Sequence, residues 1–160
     1  MARPNYANKG GHHGSYGEPQ KSSEMIAVMS EINKVSDLAD LSIEAIAGPD
    51  GIAEQAAKIM KSQRAALNPT QLRKFFDTII KIKEKQSEGG WERGENDFFM
   101  LYPTLAYAKG RKTIPDEFYN LTTTCLKKIP SEKGPDQSVD NYNRFVNLME
   151  SLVAYSKYYS

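Results

Sequence analysis

The chain is poor in the groups that catalysis, secretion and membrane insertion rely on. Its single cysteine, Cys125, closes no disulfide within the chain and suits a reducing compartment. Its only histidines, His12 and His13, lie in a Gly-rich stretch near the N-terminus, so no imidazole stands beside a nucleophile elsewhere in the sequence. No apolar run approaches the roughly 20 residues that cross a bilayer. The N-terminus lacks the apolar core of a secretory signal. There is no glycine loop of the kind that cradles phosphates, and no carboxylate spacing that suggests a metal site or an acid/base pair. These absences predict a cytoplasmic protein, without membrane attachment, metal or cofactor, that is not an enzyme.

What is present predicts an all-α fold. Residues 1–22 are rich in Gly, Asn, Ser and Tyr, and "NKGGHHGSYGEPQ" offers too little apolar surface to offset its ordering entropy. We read 1–22 as a disordered tail, its paired histidines solvated rather than bound to metal, and 23–160 as one compact bundle of five or six helices. From Ser23, Met25, Ile26, Met29 and Ile32 recur at helical spacing, followed by Leu38, Leu41, Ile43 and Ile46. "GPDG" at 48–51 is a turn, and a second helix is expected over 52–66. The next begins with Asn68 as cap, Pro69 in the first turn and Gln71 placed for a capping box. Its apolar face is Leu72, Phe75, Phe76, Ile79, Ile80 and Ile82. "SEGGWERGEN" reads as a loop in which Trp91 is a satellite core residue rather than a stacking platform. Residues 97–109 form an aromatic helix that Gly110 ends from the C′ position, with Pro103 as a kink or an early turn. Thr113 caps another helix to about residue 128, and 137–158 is the longest. Cys125 reads as a small buried hydrophobe.

Charge is distributed less evenly than the net value of +1 suggests. Between residues 58 and 85 lie eight cations: Lys58, Lys61, Arg64, Arg73, Lys74, Lys81, Lys83 and Lys85. Only Asp77 and Glu84 oppose them within that stretch, so it carries +6 and the remainder of the chain −5. A concentrated patch focuses a field on an anionic partner even when the total is near zero. Lys109 and Arg111 flank Gly110 at a helix end, where backbone groups can approach a phosphate closely. The residues alone therefore point to polyanion contact, against the plainer reading of a solvated helix face.

Three segments, in order, carry a resemblance. "LNPTQLRKFFDTI" resembles the "L-T-x-x-Q-[IL]-R-[KN]" helix start of the small subunit of type III-A (Csm-type) CRISPR effector complexes. "LYPTLAYAKGR" resembles that family's "L-x-P-x-[LI]-A-Y-x-x-[GA]-R" element, and "RFVNLMESLVAYSKYY" its aromatic-rich closing helix. The likeness covers roughly residues 52–159. It implies a helical bundle without a catalytic site that holds guide RNA and target RNA in a positively charged groove. Its implied neighbours are the backbone subunit, which cleaves RNA, the large subunit, which cleaves DNA and makes cyclic oligoadenylate, and copies of itself. Carried onto this chain, Lys58, Lys61 and Arg64 face RNA from one helix, Arg73 and Lys74 from the next, and Arg111 follows "AYAKG". Lys81 and Lys109 join them from the charge pattern. Base pairing then supplies sequence recognition while the protein reads backbone and shape.

Each of these residues has a plainer role. Gln71 caps its helix, Arg73 pairs with Asp77 at i,i+4, Arg111 caps carbonyls, and Tyr155 and Tyr159 pack. A reading from a different class is a helical protein–protein adaptor whose basic face docks an acidic partner.

Overall fold

The longest helix described is the last, and four of the other helices pack directly on it. The computed structural model describes residues 23–62 and 67–160. The Gly-rich segment 1–22 with His12 and His13, and Arg64, lie outside the described residues. The order is α1 (Ser23–Asn33), a 3-10 turn (Leu38–Asp40), α2 (Ile43–Ala47), α3 (Ile52–Lys61), α4 (Pro69–Gly89), α5 (Trp91–Phe99), α6 (Leu101–Gly110), α7 (Asp116–Leu126) and α8 (Pro135–Tyr158). No described residue is in a strand. Counting α2 with α3, and α5 with α6, as bent rods leaves six rods, in keeping with an all-α bundle.

Helix α8 begins with Pro135 in its first turn, where the missing N–H is not needed. Tyr142, Phe145, Val146, Leu148, Met149 and Leu152 fall on one arc and are buried. They meet α2, α3, α4, α5 and the 3-10 turn. The Tyr142 hydroxyl donates to the Ile79 carbonyl of α4 at 2.7 Å, so the buried phenol keeps a partner.

Several local expectations are corrected. Ile26 is 54% exposed, because α1 turns Met25, Val28 and Ile32 inward instead. The stretch "SEGGWERGEN" is not a loop. Helix α4 runs to Gly89, Gly90 alone breaks the chain with φ 80°, and α5 starts at Trp91. Trp91 is buried against Phe98, as a core residue. The expected aromatic helix is divided at Met100, which leaves Pro103 in the first turn of α6. Gly110 is not the left-handed residue that ends α6. Lys112 is, with φ 58°, and the amides of Lys112 and Thr113 bond to the carbonyls of Lys109 and Ala108. Thr113 does not cap α7, because its hydroxyl donates to Ala108 O at 3.1 Å. Asn68 does cap α4, accepting from the amides of Thr70 and Gln71 at 2.8 and 3.4 Å. Gln71 does not return that bond, so the cap is not a box.

Gly94 acts as a packing residue. A Cβ there would lie 2.8 Å from Gln86 Cγ and 3.2 Å from Ile82 Cγ2. Its missing side chain lets α5 lie against α4, over a Gln86 amide that is buried without a hydrogen-bond partner.

A second constraint is polar. Asn141 on α8 is fully buried, and its amide is saturated. Its Nδ2 donates to Asp37 Oδ1 at 2.9 Å and to Ile129 O at 3.0 Å. Its Oδ1 accepts from Ala39 N at 2.9 Å and Gln137 Nε2 at 3.2 Å. Lys133 pairs with the other Asp37 oxygen at 2.7 Å. Hydrogen bonds from Lys133, Asn141 and Ser131 hold the Asp37 carboxyl well below the usual range, at about 2.

Two predictions follow from these contacts. Gly94→Ala should destabilise the fold by about 1–3 kcal/mol in urea denaturation, and by less in a Gln86→Ala background. Equal costs in both backgrounds would show that the two side chains do not meet. Asp37 titrates near 4 when unfolded, so its contribution is complete above that pH and is lost as pH falls toward 2. Asp37→Asn should flatten the acid limb of a melting-temperature profile between about pH 4 and 2. An unchanged slope would remove Asp37 from the acid response.

Candidate nucleic-acid interface

The cations enter the structure on α3, on α4 and around the α6–α7 turn. Helix α4 buries Leu72, Ile79, Ile82 and Gln86, with Phe75, Phe76 and Ile80 half-buried beside them. This narrow stripe leaves Arg73, Lys74, Lys81, Lys83 and Lys85 exposed. Exposure does not mean that each charge is free.

Lys58 is the most heavily engaged. Its Nζ lies 3.5 Å from Glu54, 4.0 Å from Asp50 and 5.4 Å from the Tyr159 ring centre. The Tyr159 phenol, and after it Glu54, raise the Lys58 pKa above its ordinary value. Arg73 meets Asp77 at 3.4 Å and sits over the Phe76 ring at 5.9 Å. The i,i+4 pairing that the sequence permits is therefore made. Lys85 pairs with Asp97, across from α4 to α5. Lys109 lies 4.4 Å from the centre of the Tyr119 ring. Arg111 donates to the Tyr107 hydroxyl at 3.0 Å rather than to a carbonyl.

The expectation of a patch almost without counter-charges is corrected here. It counted acids only between residues 58 and 85. Folding brings Asp50 and Glu54 to Lys58, and Asp97 to Lys85. Among the described residues, Lys61, Lys74 and Lys81 have no carboxylate within ion-pair distance. Lys61 borders a cleft with Asn68, Pro69, Ser156 and Tyr159. Lys74 borders a separate cleft between α4, α6 and α7. Buried Leu67 walls both, so the fold brings the sites together around the start of α4. Tyr159, which no local pattern linked to Lys58, was missed by sequence reasoning. Tyr107 was legible, standing four residues before Arg111 on one helix.

Among the described residues, no three His, Cys, Asp or Glu side chains are placed to hold a metal ion. Cys125 is fully buried, and that burial pushes its thiol up to about 12. No helix among the described residues is long and apolar enough to cross a membrane.

The described residues form an all-helical bundle whose α4 presents cations beside a narrow apolar stripe, with the Cys125 thiol inside. The family model for Csm2 Type III-A matches residues 45–160, well over half of the chain. The chain belongs to that family, which supports a general role in a type III-A complex. The match includes all three segments of the sequence resemblance and extends through α3 into α2, leaving α1 outside. No curated protein and no solved structure matches the chain.

Burial makes a direct prediction for Cys125. A thiol reagent should label the native protein more than about tenfold more slowly than the denatured protein, because both thiolate formation and access are suppressed. Labelling at equal rates would place Cys125 at the surface.

Proposed function

We propose that this chain is a non-catalytic small subunit of a type III-A CRISPR interference complex, and that it holds guide RNA and target RNA through the exposed side of α4. The observation that carries this reading is the pair Lys74 and Lys81. Both are exposed, lie two turns apart on one helix, and have no carboxylate at ion-pair distance among the described residues. Lys61 extends the surface from α3. Arg73, Lys109 and Arg111 lie alongside and exchange their present partners for phosphate on contact. Lys58 is held by two carboxylates and contributes least. Arg64 belongs to the same proposed set by its place in the sequence.

Recognition here is of backbone charge and duplex shape. Lysine ammonium groups neutralise phosphates as point charges and read no base. The guide supplies sequence specificity by pairing with its target. The proposed partners are the backbone and large subunits and further copies of this chain. The adaptor reading draws support from the intramolecular pairs of Lys58, Arg73 and Lys85, since a surface that satisfies carboxylates within the chain can satisfy a partner's.

Fluorescence anisotropy with RNA at several salt concentrations tests the proposal. The parent should bind with little sequence preference, weakening steeply as salt rises. Lys74→Glu with Lys81→Glu should reduce affinity at least about tenfold and lower the salt slope by about two, with an unchanged melting temperature. Lys58→Glu should do less. A folded double variant that binds RNA as the parent does would sink the α4 assignment. Retention of complex partners without any RNA affinity would favour the adaptor.

A further inference from the structure

The cleft between α4, α6 and α7 has a shape and lining that phosphate contact alone does not require. Its floor is apolar: Leu72, Phe75, Leu105, Ile114 and Phe118. Phe75 and Phe118 meet edge to face, with centres 5.9 Å apart at 82°. Its volume is about 190 Å³, close to the room one unstacked base needs and too little for two.

The rim is polar in a particular sense. Thr78, Thr104 and Thr113 border the opening, and each hydroxyl already donates to a backbone carbonyl, at 3.3, 2.9 and 3.1 Å. With their protons committed, these oxygens can only accept further bonds. The donors at the mouth are the amide of Gln71 and the ammonium of Lys74. An apolar cleft with acceptors around it and the Lys74 cation at its edge is complementary to an aromatic base bearing amino groups and attached to a phosphate.

We infer that this cleft receives one unpaired base of a single-stranded RNA, packed against the half-buried ring of Phe75, which the buried Phe118 backs edge to face, while Lys74 holds the adjoining phosphate. The inference rests on the RNA reading above and deepens it. Continuity supports it, since Lys74 belongs both to the cleft and to the exposed face of α4. Charge complementarity supports it as well, since among the described residues the charged group lining the cleft is the Lys74 ammonium. A protein side chain would fill the floor equally well, but it would gain nothing from Lys74 unless an acidic residue stood beside it.

The test uses the full chain with a single-stranded RNA carrying 2-aminopurine, and a matched RNA with abasic positions. Parent protein should change the 2-aminopurine emission on binding, and should bind the abasic RNA roughly tenfold more weakly. Ala108→Leu fills the cleft from α6 without touching a charge. It should abolish both effects, melt like the parent, and keep the parent's affinity for duplex RNA. If Ala108→Leu does not fold, Thr104→Phe blocks the same opening from an exposed position. Binding of normal and abasic RNA with equal affinity, with emission unchanged, overturns the base site and leaves the phosphate-binding face standing. Absence of all RNA binding overturns both readings. A blocked cleft that keeps RNA binding but loses partner subunits overturns the base site in favour of a protein side chain.

Discussion

The buried amide of Asn141 is the contact on which the rest of the bundle depends. Residues 34–42 make one short 3-10 turn and no long helix, so their backbone groups must find partners elsewhere. Helix α8 and Lys128, just past α7, supply them. Asn141 takes the Ala39 amide, Arg144 donates to the Leu41 carbonyl, and Lys128 to Val35 O at 2.6 Å. Tyr155 then holds the end of α2, donating to Ala47 O at 2.8 Å. The irregular segment is thus fixed by side chains from the other end of the chain. Asn141 has no spare donor or acceptor, so a substitution there takes the partner from the Ile129 carbonyl and the Ala39 amide at once, each a penalty of about 1–3 kcal/mol when buried, and leaves Asp37 with Lys133 but one bond fewer.

With that clamp in place, α8 can serve as the axis of the core. The Tyr142 hydroxyl ties it to α4 as Asn141 ties it to the N-terminal half. The packing of α4 is asymmetric. Its far end is held closely, through Gln86 and the bare backbone of Gly94, whereas its near end borders two clefts. The firmly packed end carries Lys85, paired to Asp97. The near end carries Lys74, with no carboxylate at ion-pair distance among the described residues. The Lys85–Asp97 pair therefore follows from packing, because an ion pair across two helices forms only where those helices are drawn together.

The sequence makes legible whatever depends on periodicity or on a cap. The buried arc of α8, the Asn68 cap, the Arg73–Asp77 pair and the inward Cys125 all follow from spacing within a few turns. What it hides depends on partners far along the chain. Tyr159 beside Lys58 and Asp97 beside Lys85 cannot be read from local charge counts, which is why the basic segment looked freer than it is. Glycine misled in the opposite way. "SEGGWERGEN" suggests a loop by composition, yet only Gly90 needs a positive φ. Gly94 is there to let a helix approach, and both uses look alike in a sequence. Lys112 shows the converse, a left-handed helix end made without glycine where Gly110 stood nearby as the expected residue. The end is held by two backbone bonds to Ala108 and Lys109, which offset the steric cost of a side chain in that conformation.

How much RNA affinity α4 can supply follows from its geometry. Seven residues separate Lys74 from Lys81, which is about 10 Å along a helix axis. That is close to the screening length at physiological ionic strength, about 8 Å, so the two charges act on a polyanion almost independently. Two nearly independent phosphate contacts make a weak, salt-sensitive grip. Tighter binding requires either a contribution that salt does not screen, such as a base packed against Phe75, or many such helices along one strand. A type III-A complex offers the second route if copies of the chain line a shared RNA, because contacts that are weak singly multiply once the ligand is held at its neighbours. The cleft offers the first. The two routes differ in their response to salt: a strand gripped only by repeated lysines is released as ionic strength rises, whereas a base in the α4–α6–α7 cleft remains bound after the phosphates are screened.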